Sequence, residues 1–300
     1  MKGKNILITG ATRSGSTWVG NVIGAHPKVD NIIEPFNLNR INRYKIIDLD
    51  YWFPKVTERS EIGLQIKVRK LIKYYLNTNF FYLITNSYKS YEGHSILISN
   101  KKRLRRAWRP IKMIKDPIAV FSVPWLVKEF DLNPVILIRH PAAFALSIKD
   151  KNWWFDFDDF LRQPIFFSDG LESLKDEVIQ YQKDIKEKDI VDNAALLWKI
   201  IYAQVGIYQE KNPEWYFITH ETLSLNPIIE FQKLFEYLEL PFTNQVKDYI
   251  QKSTKAKDHG KHFRDSLTNA IKWKKNLSQE EQQRIAKLTS PIYERFYNKF

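Results

Sequence analysis

Residues 10–17 constrain the fold of this chain more than any other segment. Their sequence, GATRSGST, keeps the glycine spacing of a phosphate-binding loop, G-x-x-x-x-G-K-[ST], but Ser16 occupies the lysine position. The apolar run 6–8 precedes the loop and a helix-compatible stretch through Ala25 follows it, so the required strand, tight turn and helix start are all predicted. Without the lysine, the loop lacks the cation that reaches the terminal phosphates of a nucleoside triphosphate. We therefore expect an anion site that does not bind a triphosphate.

A second apolar run, residues 134–138, predicts a buried strand that ends at Arg139. A phosphate-loop NTPase usually ends this strand with an aspartate that holds magnesium. A guanidinium cannot ligate a metal, but it pairs with phosphate through two hydrogen bonds and stays charged at physiological pH. We therefore expect a nucleotide with an additional phosphate near Arg139, bound without Mg²⁺.

These two segments resemble those of the sulfotransferases that use 3′-phosphoadenosine 5′-phosphosulfate (PAPS). The family's first motif, at the 5′-phosphosulfate, is similar to residues 12–18. Its second motif, at the 3′-phosphate, is similar to Arg139 followed eight positions later by Ser147. Further similar segments are residues 217–221, Asn226-Pro227 and the tail from Trp273 through Ser278. The resemblance runs from residue 5 to about residue 297 and implies a sulfotransferase with PAPS as donor co-substrate and no metal.

The style of the first motif bears on the acceptor. Cytosolic members of the family that act on small phenols and alcohols favour a lysine at the Arg13 position. Members that act on carbohydrates often have Arg-Ser-Gly-Ser and, about twenty residues later, a Glu-Pro pair. Residues 13–16 and Glu34-Pro35 are similar to the carbohydrate style. The resemblance therefore implies an acceptor hydroxyl on a saccharide or glycoconjugate.

The resemblance also implies which residues bind the donor. They are Arg13, Ser14, Gly15, Ser16, Thr17, Trp18, Arg139 and Ser147. Arg13 would place its cation on the leaving phosphate oxygens, where charge builds up during in-line transfer, and Gly15 would serve the geometry of the loop. Two alternatives stay open: Trp18 either contacts the adenine or packs in the core, and Ser147 either binds the 3′-phosphate or bonds back to its own helix.

An alcohol acceptor needs a general base close to its proton. Glu34 is the first candidate, because it follows the short apolar segment 31–33, stands where the carbohydrate branch has a glutamate, and precedes a proline that fixes the turn. The alternative is an exposed carboxylate or a salt-bridge partner. His94 is the reserve candidate, since some branches use histidine and the unperturbed pKa of imidazole suits the task.

Other polar and aromatic residues are weaker candidates for acceptor binding. Lys115 and Asp116 follow the predicted strand 111–114, so they either orient acceptor hydroxyls or form a strand-end salt bridge. Trp153 and Trp154 begin an aromatic cluster, residues 153–157, which either stacks against sugar rings or belongs to the core. His220 and Glu221 follow another predicted strand, at a place where related enzymes contact the adenine.

Apolar runs that alternate with helix-period stretches predict an α/β fold with a P-loop-type open parallel sheet, flanked by helices on both faces. The predicted strands are residues 6–8, 31–33, 111–114, 135–138 and 215–218. The predicted helices are residues 61–75, 118–130, 171–187, 193–209 and 228–238, with a capping box at 278–281 that opens a further helix. We expect one sulfotransferase-like domain over residues 1–300.

Composition limits the other functions. The chain has no cysteine and no H-x-H or H-E-x-x-H pattern, so we expect no metal centre. The net charge of +13 favours anionic partners, and the basic cluster, residues 101–109, either binds a polyanion or is a solvated face. No nucleic-acid recognition module is present, so nucleic acid is not an expected partner.

The first strand begins about four residues after Met1 and no long apolar run follows, which predicts a cytoplasmic protein without a membrane span.

Two other functions stay open at the level of sequence. A P-loop nucleotide or small-molecule kinase would require ATP and Mg²⁺, against the missing lysine and the presence of Arg139. A non-enzymatic polyanion-binding protein would use the basic cluster. The oligomeric state is not constrained.

Overall fold

The computed structural model describes residues 5–44, 47–76, 109–254 and 266–297. Within these ranges, five strands form one parallel sheet in the order β2-β3-β1-β4-β5. The strands are β1 (Asn5–Gly10), β2 (Val29–Ile33), β3 (Ile111–Lys115), β4 (Leu132–Ile138) and β5 (Tyr216–Thr219). The predicted α/β fold with a parallel sheet is confirmed. The strands were predictable because a parallel sheet covered on both faces has nearly continuous apolar strands, and every residue of β4 is buried.

The helices described by the structure are α1 (Ser16–Gly24), α2 (Leu38–Tyr44), α3 (Ile62–Leu76), α4 (Val123–Phe130), α5 (Pro141–Lys149), α6 (Asp158–Leu161), α7 (Glu172–Lys183), α8 (Ile190–Lys211), α9 (His220–Leu225), α10 (Pro227–Tyr237), α11 (Asn244–Thr254), α12 (Ser266–Ile271), α13 (Trp273–Asn276) and α14 (Gln279–Tyr293). They cover both faces of the sheet. Along β1, Ile6 and Ile8 pack into a cluster with α1, α10 and α11, whereas Leu7 packs into a cluster with α5 and α8. This alternation follows from the two-residue period of a strand.

Two helix predictions differ from the structure. The predicted helix 118–130 is a 3₁₀ segment, Pro117–Ser122, followed by α4. Pro124 lacks an N–H group and crowds the carbonyl four residues earlier, so a continuous α-helix cannot run through it. The predicted helix 171–187 ends at Lys183, and a short 3₁₀ segment follows it.

The predicted capping box at the start of α14 is confirmed. The Glu281 N–H donates to Ser278 Oγ at 3.1 Å, and the Ser278 N–H donates to Glu281 Oε2 at 2.9 Å. Each side chain thus satisfies a backbone donor that the helix itself leaves unpaired. This helix packs on α8 and α5, and it brings the end of the described chain next to the loop that follows β4.

In the described part of the chain, one helix, α8, is long and apolar enough to cross a membrane by length and composition. Most of this helix is buried inside the protein. Core helices of folded domains meet the same criterion, so α8 is weak support for a membrane span.

The strand register determines where the loops meet. Ile8 of β1 lies opposite Lys115 of β3 and Val135 of β4, and Ile138 of β4 lies opposite Thr219 of β5. The carboxyl ends of these strands therefore share one edge of the sheet, where ligands of open parallel sheets bind.

Candidate functional site

The loop between β1 and α1 has the geometry of an anion-binding turn. Gly10 and Gly15 have φ values of 136° and 95°. A Cβ atom on Gly10 would lie 2.2 Å from the Leu137 carbonyl oxygen, and one on Gly15 would lie 2.5 Å from the His220 ring. Only glycine fits at both positions. Gly15 is the N-cap of α1 and supplies no side-chain cap, so the helix start presents backbone N–H groups and the positive end of its dipole.

The two sequence motifs meet directly. Arg13 Nε donates to Ser147 Oγ at 2.9 Å, and the Arg139 guanidinium donates to the backbone carbonyl oxygen of Arg13. The structure therefore brings Arg13, Arg139 and Ser147 together at the shared sheet edge, although more than a hundred residues of chain separate the first from the other two. Their contacts with a nucleotide stay a prediction.

Two buried polar atoms at this place have no hydrogen-bond partner within the described residues: Ser14 Oγ and Arg139 Nε. Buried polar groups are nearly always paired in folded proteins, so such atoms at a loop of this geometry favour a ligand site here. A hydroxyl, a guanidinium and the N–H groups of a helix start without a side-chain cap are donors that match phosphate oxygens. The residues present thus fit a nucleotide with two anionic ends, as in PAPS.

Residues of α8 fix the backbone around Arg139. The Arg139 N–H donates to the Tyr202 hydroxyl at 3.1 Å, and Trp198 Nε1 donates to the Arg139 carbonyl at 2.7 Å. Burial lowers the pKa of Arg139, while the nearby carboxylate of Glu221 opposes this effect. An arginine stays charged throughout the physiological pH range, so the site holds a buried, positioned cation.

Trp18 and His220 cover the start of α1. Trp18 is half-buried, its indole N–H donates to Ser253 Oγ at 3.0 Å, and its ring meets Phe231 edge to face at 5.2 Å. His220 packs against both Gly15 and the Trp18 ring. Burial, together with the charge of Arg139, lowers the pKa of His220 to about 3, so this ring is neutral at physiological pH. Trp18 therefore serves core packing and still exposes part of its ring.

Glu34 lies just beyond β2 and is paired with a lysine. Lys115 Nζ donates to Glu34 Oε1 at 2.5 Å, and Asn37 Nδ2 donates to Glu34 Oε2 at 3.1 Å. Burial alone would raise the pKa of Glu34, but the bonds and charges of Lys115, Asn37 and Arg40 hold that pKa below its ordinary value. The carboxylate is therefore ionised at neutral pH. Of the two alternatives raised by the sequence, the salt-bridge partner is observed, with Lys115 rather than an arginine.

Arg13 and Glu34 share a backbone conformation that is rare for residues with side chains. Their φ values are 65° and 49°, in the left-handed region. Holding a non-glycine residue there costs on the order of 1–3 kcal/mol, and such residues concentrate at functional sites. The two residues predicted to act on the leaving group and on the acceptor are thus both held in strained turns.

The two residues at the end of β3 are buried, and Lys115 forms the strand-end salt bridge that was one of the two alternatives raised by the sequence. Lys115 is buried, and its alkyl chain packs on Gly20 of α1. Asp116 is fully buried, and its two carboxylate oxygens accept the N–H groups of Phe36 at 2.6 Å and Ile118 at 2.9 Å. Because Asp116 is fully buried and both its oxygens accept backbone N–H groups, the structure favours a structural role for it over the orienting of acceptor hydroxyls. Asp116 instead ties the turn that carries Glu34 to the end of β3.

The aromatic cluster after α5 is divided between surface and core. Trp153 and Trp154 are 49% and 45% exposed, whereas Phe157 is 2% exposed and packs against Phe155. The Arg13 guanidinium lies 5.9 Å from the centre of the Trp153 ring, within the range of a cation–π contact. One exposed indole of the cluster thus lies directly beside the phosphate-loop arginine.

Some predicted residues lie outside the described ranges, and some site residues were missed. His94 and residues 101–108 of the basic cluster are outside the described residues. The Tyr297 hydroxyl donates to Glu221 Oε2 at 2.7 Å. Neither Tyr297 nor Tyr202 carries a local sequence signal of a place in the site. In the part of the chain that the structure describes, no group of three or more His, Cys, Asp or Glu residues could hold a metal.

Three solved sulfotransferase structures are similar to this chain. No curated protein matches the chain in sequence. The sulfotransferase domain of the Synechococcus PCC 7002 olefin synthase has a similar structure, with a TM-score of 0.51 and 14% identity over 100% of this chain and 97% of that chain. The sulfotransferase domain from the curacin biosynthetic pathway gives a TM-score of 0.48 and 17% identity over 97% of this chain and 98% of that chain. Sulfotransferase STF9 from Mycobacterium avium gives a TM-score of 0.48 and 12% identity over 100% of this chain and 78% of that chain.

The likeness to the olefin synthase domain concerns the fold, a five-stranded parallel sheet flanked by helices. The family assignment comes from the sequence, since the model of the sulfotransferase domain family matches residues 3–293. With nearly the whole chain matched, this protein belongs to the sulfotransferase family.

Proposed function

We propose that this protein transfers a sulfuryl group from PAPS to an acceptor hydroxyl on a saccharide or glycoconjugate. The observation that carries the proposal is the direct junction of the two motifs. Arg13 bonds Ser147, and Arg139 bonds the backbone of Arg13, so two cations and a hydroxyl converge beside an uncapped helix start. This arrangement fits a nucleotide with separate anionic groups at its two ends.

The donor's two ends have different partners in this proposal. Arg139 and Ser147 bind the 3′-phosphate. Arg13, Ser14 and the N–H groups and hydroxyls at the start of α1, from Ser16 and Thr17, bind the 5′-phosphosulfate. PAPS supplies the activated sulfuryl group. The absence of a lysine at Ser16 and of an acidic residue at Arg139 disfavours ATP with Mg²⁺.

Sulfuryl transfer breaks the S–O bond to the 5′-phosphate and forms an S–O bond to the acceptor oxygen, which loses its proton. The electron pair of the broken bond stays on the departing phosphate. Arg13 and the loop N–H groups stabilise this developing charge, and removal of one such donor typically costs on the order of 10²–10³ in rate. Arg13 has a strained left-handed backbone conformation, and such strain at a functional site is one form of preorganisation.

Glu34 accepts the acceptor proton in this proposal. It is ionised, and each of its oxygens keeps a second lone pair beside the bond to Lys115 or Asn37. Lys115 orients the carboxylate. The lowered pKa of Glu34 makes it a weaker base, so its contribution belongs at the lower end of the usual range of about 10²–10⁴. His94 is the alternative base.

The acceptor lies on the side of Trp153 and Trp154. Both indoles are about half exposed, and Trp153 adjoins Arg13. Flat aromatic faces stack against the C–H face of a sugar ring, whose hydroxyls then point towards the loop. This placement and the carbohydrate style of residues 13–16 and Glu34-Pro35 both favour a saccharide acceptor.

Isothermal titration tests the donor assignment. We expect adenosine 3′,5′-bisphosphate to bind without Mg²⁺ and ATP with Mg²⁺ not to bind. Tight binding of Mg·ATP with no binding of the bisphosphate would show a kinase instead.

The acceptor is tested by incubating the protein with PAPS and pooled glycans or phenols and recording the mass gain of one sulfuryl group. Modification of phenols alone would contradict the saccharide assignment.

A further inference from the structure

Glu221, near the start of α9, accepts one hydrogen bond from a backbone N–H group and one from a side-chain hydroxyl. The His140 N–H donates to Glu221 Oε1 at 3.2 Å, and the Tyr297 hydroxyl donates to Glu221 Oε2 at 2.7 Å. Both bonds are accepted by carboxylate oxygens. Burial raises the pKa of Glu221, and the bonds from Tyr297 and His140 together with the charge of Arg139 oppose this rise. His140 directly follows Arg139, so this carboxylate holds the loop that carries the buried cation.

Glu221 also interacts electrostatically with Arg139. Its hydrogen bonds nevertheless go to His140 and Tyr297, while Arg139 Nε has no partner among the described residues. A carboxylate beside a guanidinium normally forms a two-pronged ion pair. Such a pair would occupy the donors that a phosphate needs.

We propose that Tyr297 and Glu221 are a positioning pair for the donor nucleotide: the Tyr297 hydroxyl holds the Glu221 carboxylate away from the guanidinium of Arg139. Glu221 then balances the charge of Arg139 without occupying its hydrogen-bond donors, which stay available for the 3′-phosphate. The inference rests on the proposed use of PAPS. It gives the segment after α14 a part in donor binding, although that segment lies far from both phosphate motifs in sequence.

The position of Tyr297 is fixed by its ring contacts. Tyr297 stacks on Tyr293 at 5.0 Å, and both rings meet His140 edge to face at 5.5 and 5.3 Å. The other side of this arrangement is closed by Trp273, which stacks on His140 at 4.4 Å. Burial and the charge of Glu221 raise the pKa of Tyr297, so its hydroxyl keeps the proton that it donates. The hydroxyl is therefore a fixed donor aimed at Glu221.

The test compares two ligands in titration calorimetry, adenosine 3′,5′-bisphosphate and adenosine 5′-monophosphate. In Tyr297→Phe, Glu221 Oε2 is released and pairs with Arg139. We expect the bisphosphate to bind about tenfold more weakly, the size of one hydrogen bond to a charged group, and the monophosphate to change by less than about twofold. General damage to the protein would weaken both ligands together.

Tyr208→Phe is the matched control, because it removes another buried tyrosine hydroxyl, which donates to the Val120 carbonyl at 3.1 Å. The ratio of the two affinities should stay at the wild-type value in this control. In the double variant with Tyr297→Phe and Glu221→Gln, the ratio should return towards wild type, because a neutral amide cannot form the competing ion pair. Glu221→Gln alone should keep the ratio within about threefold of wild type.

An unchanged ratio in Tyr297→Phe would overturn the inference while the proposed function stands. A tenfold loss of bisphosphate affinity in Glu221→Gln alone would also overturn it, because the carboxylate would then assist phosphate binding rather than compete with it. This second measurement decides the matter if Tyr297→Phe does not fold. Failure of the wild-type protein to bind the bisphosphate would instead reject the proposed function, and the inference with it.

Discussion

Replacing Arg139 by lysine keeps the positive charge but removes the planar fork of donors, and it separates the role of charge from that of geometry. In the structure, Arg139 is 4% exposed, donates to the carbonyl of Arg13 and has a further buried donor, Nε, without a partner among the described residues. A lysine of this length cannot serve the Arg13 carbonyl and a phosphate together. One hydrogen bond between charged groups contributes about 1.5–3 kcal/mol, so Arg139→Lys should raise the Kd for adenosine 3′,5′-bisphosphate about tenfold to a hundredfold.

Titration calorimetry measures this effect, with adenosine 5′-monophosphate as the ligand that lacks the 3′-phosphate. Its Kd should change much less, because the proposed function assigns the 5′-phosphate to the loop after β1 rather than to Arg139. Arg162→Lys is the matched control, since Arg162 is a surface residue paired with Asp159 at 2.8 Å. Equal weakening of both nucleotides, or no weakening of either, would refute the assignment of Arg139 to the 3′-phosphate.

Three further changes test other parts of the site. Glu34→Gln should lower kcat by about a hundredfold and leave the Kd of the bisphosphate unchanged; near-normal turnover would remove Glu34 from the base role. Trp153→Ala should raise the KM for a saccharide acceptor several-fold with donor binding intact, and an unchanged KM in steady-state assays would exclude this indole from the acceptor site. Burial raises the pKa of Asp116 to about 7, so between about pH 4 and pH 7 the folded state binds a proton that the unfolded state releases. The free energy of unfolding should therefore fall as pH rises through this window, by up to about 4 kcal/mol. Thermal unfolding of wild type and Asp116→Asn at pH 5 and pH 8 should show this loss in the wild type only, and parallel losses would contradict the assignment.

The fold was predictable where burial and sequence period act together. The strands around Ile8 and Ile136 are buried on both faces, so their apolar runs are unambiguous. The continuous helix predicted for residues 118–130 was wrong, because the apolar period runs through Pro124 while the backbone at a proline cannot continue an α-helix. In each case the local pattern was correct only where no backbone constraint opposed it.

Parts of the site depend on tertiary packing that no local pattern shows. Asp116 stands at a strand end, where a ligand-binding residue is expected, but the turn after β2 folds over it and bonds it with backbone N–H groups. Trp153 and Phe157 are both aromatic, and only packing places one outside and the other inside. Glu221 and Tyr297 meet across 76 positions of sequence, a contact that requires the last helix to be in place.

The hydrogen bond from Arg139 to the Arg13 carbonyl couples two residues to which the proposed function assigns opposite ends of the donor nucleotide. Anchoring one end restrains the backbone that presents the other, so a ligand with both anionic groups should gain more than the sum of its separate halves, as in a chelate. Substitutions at Arg13 and Arg139 should accordingly be non-additive, with the double variant losing less affinity than the two single losses combined.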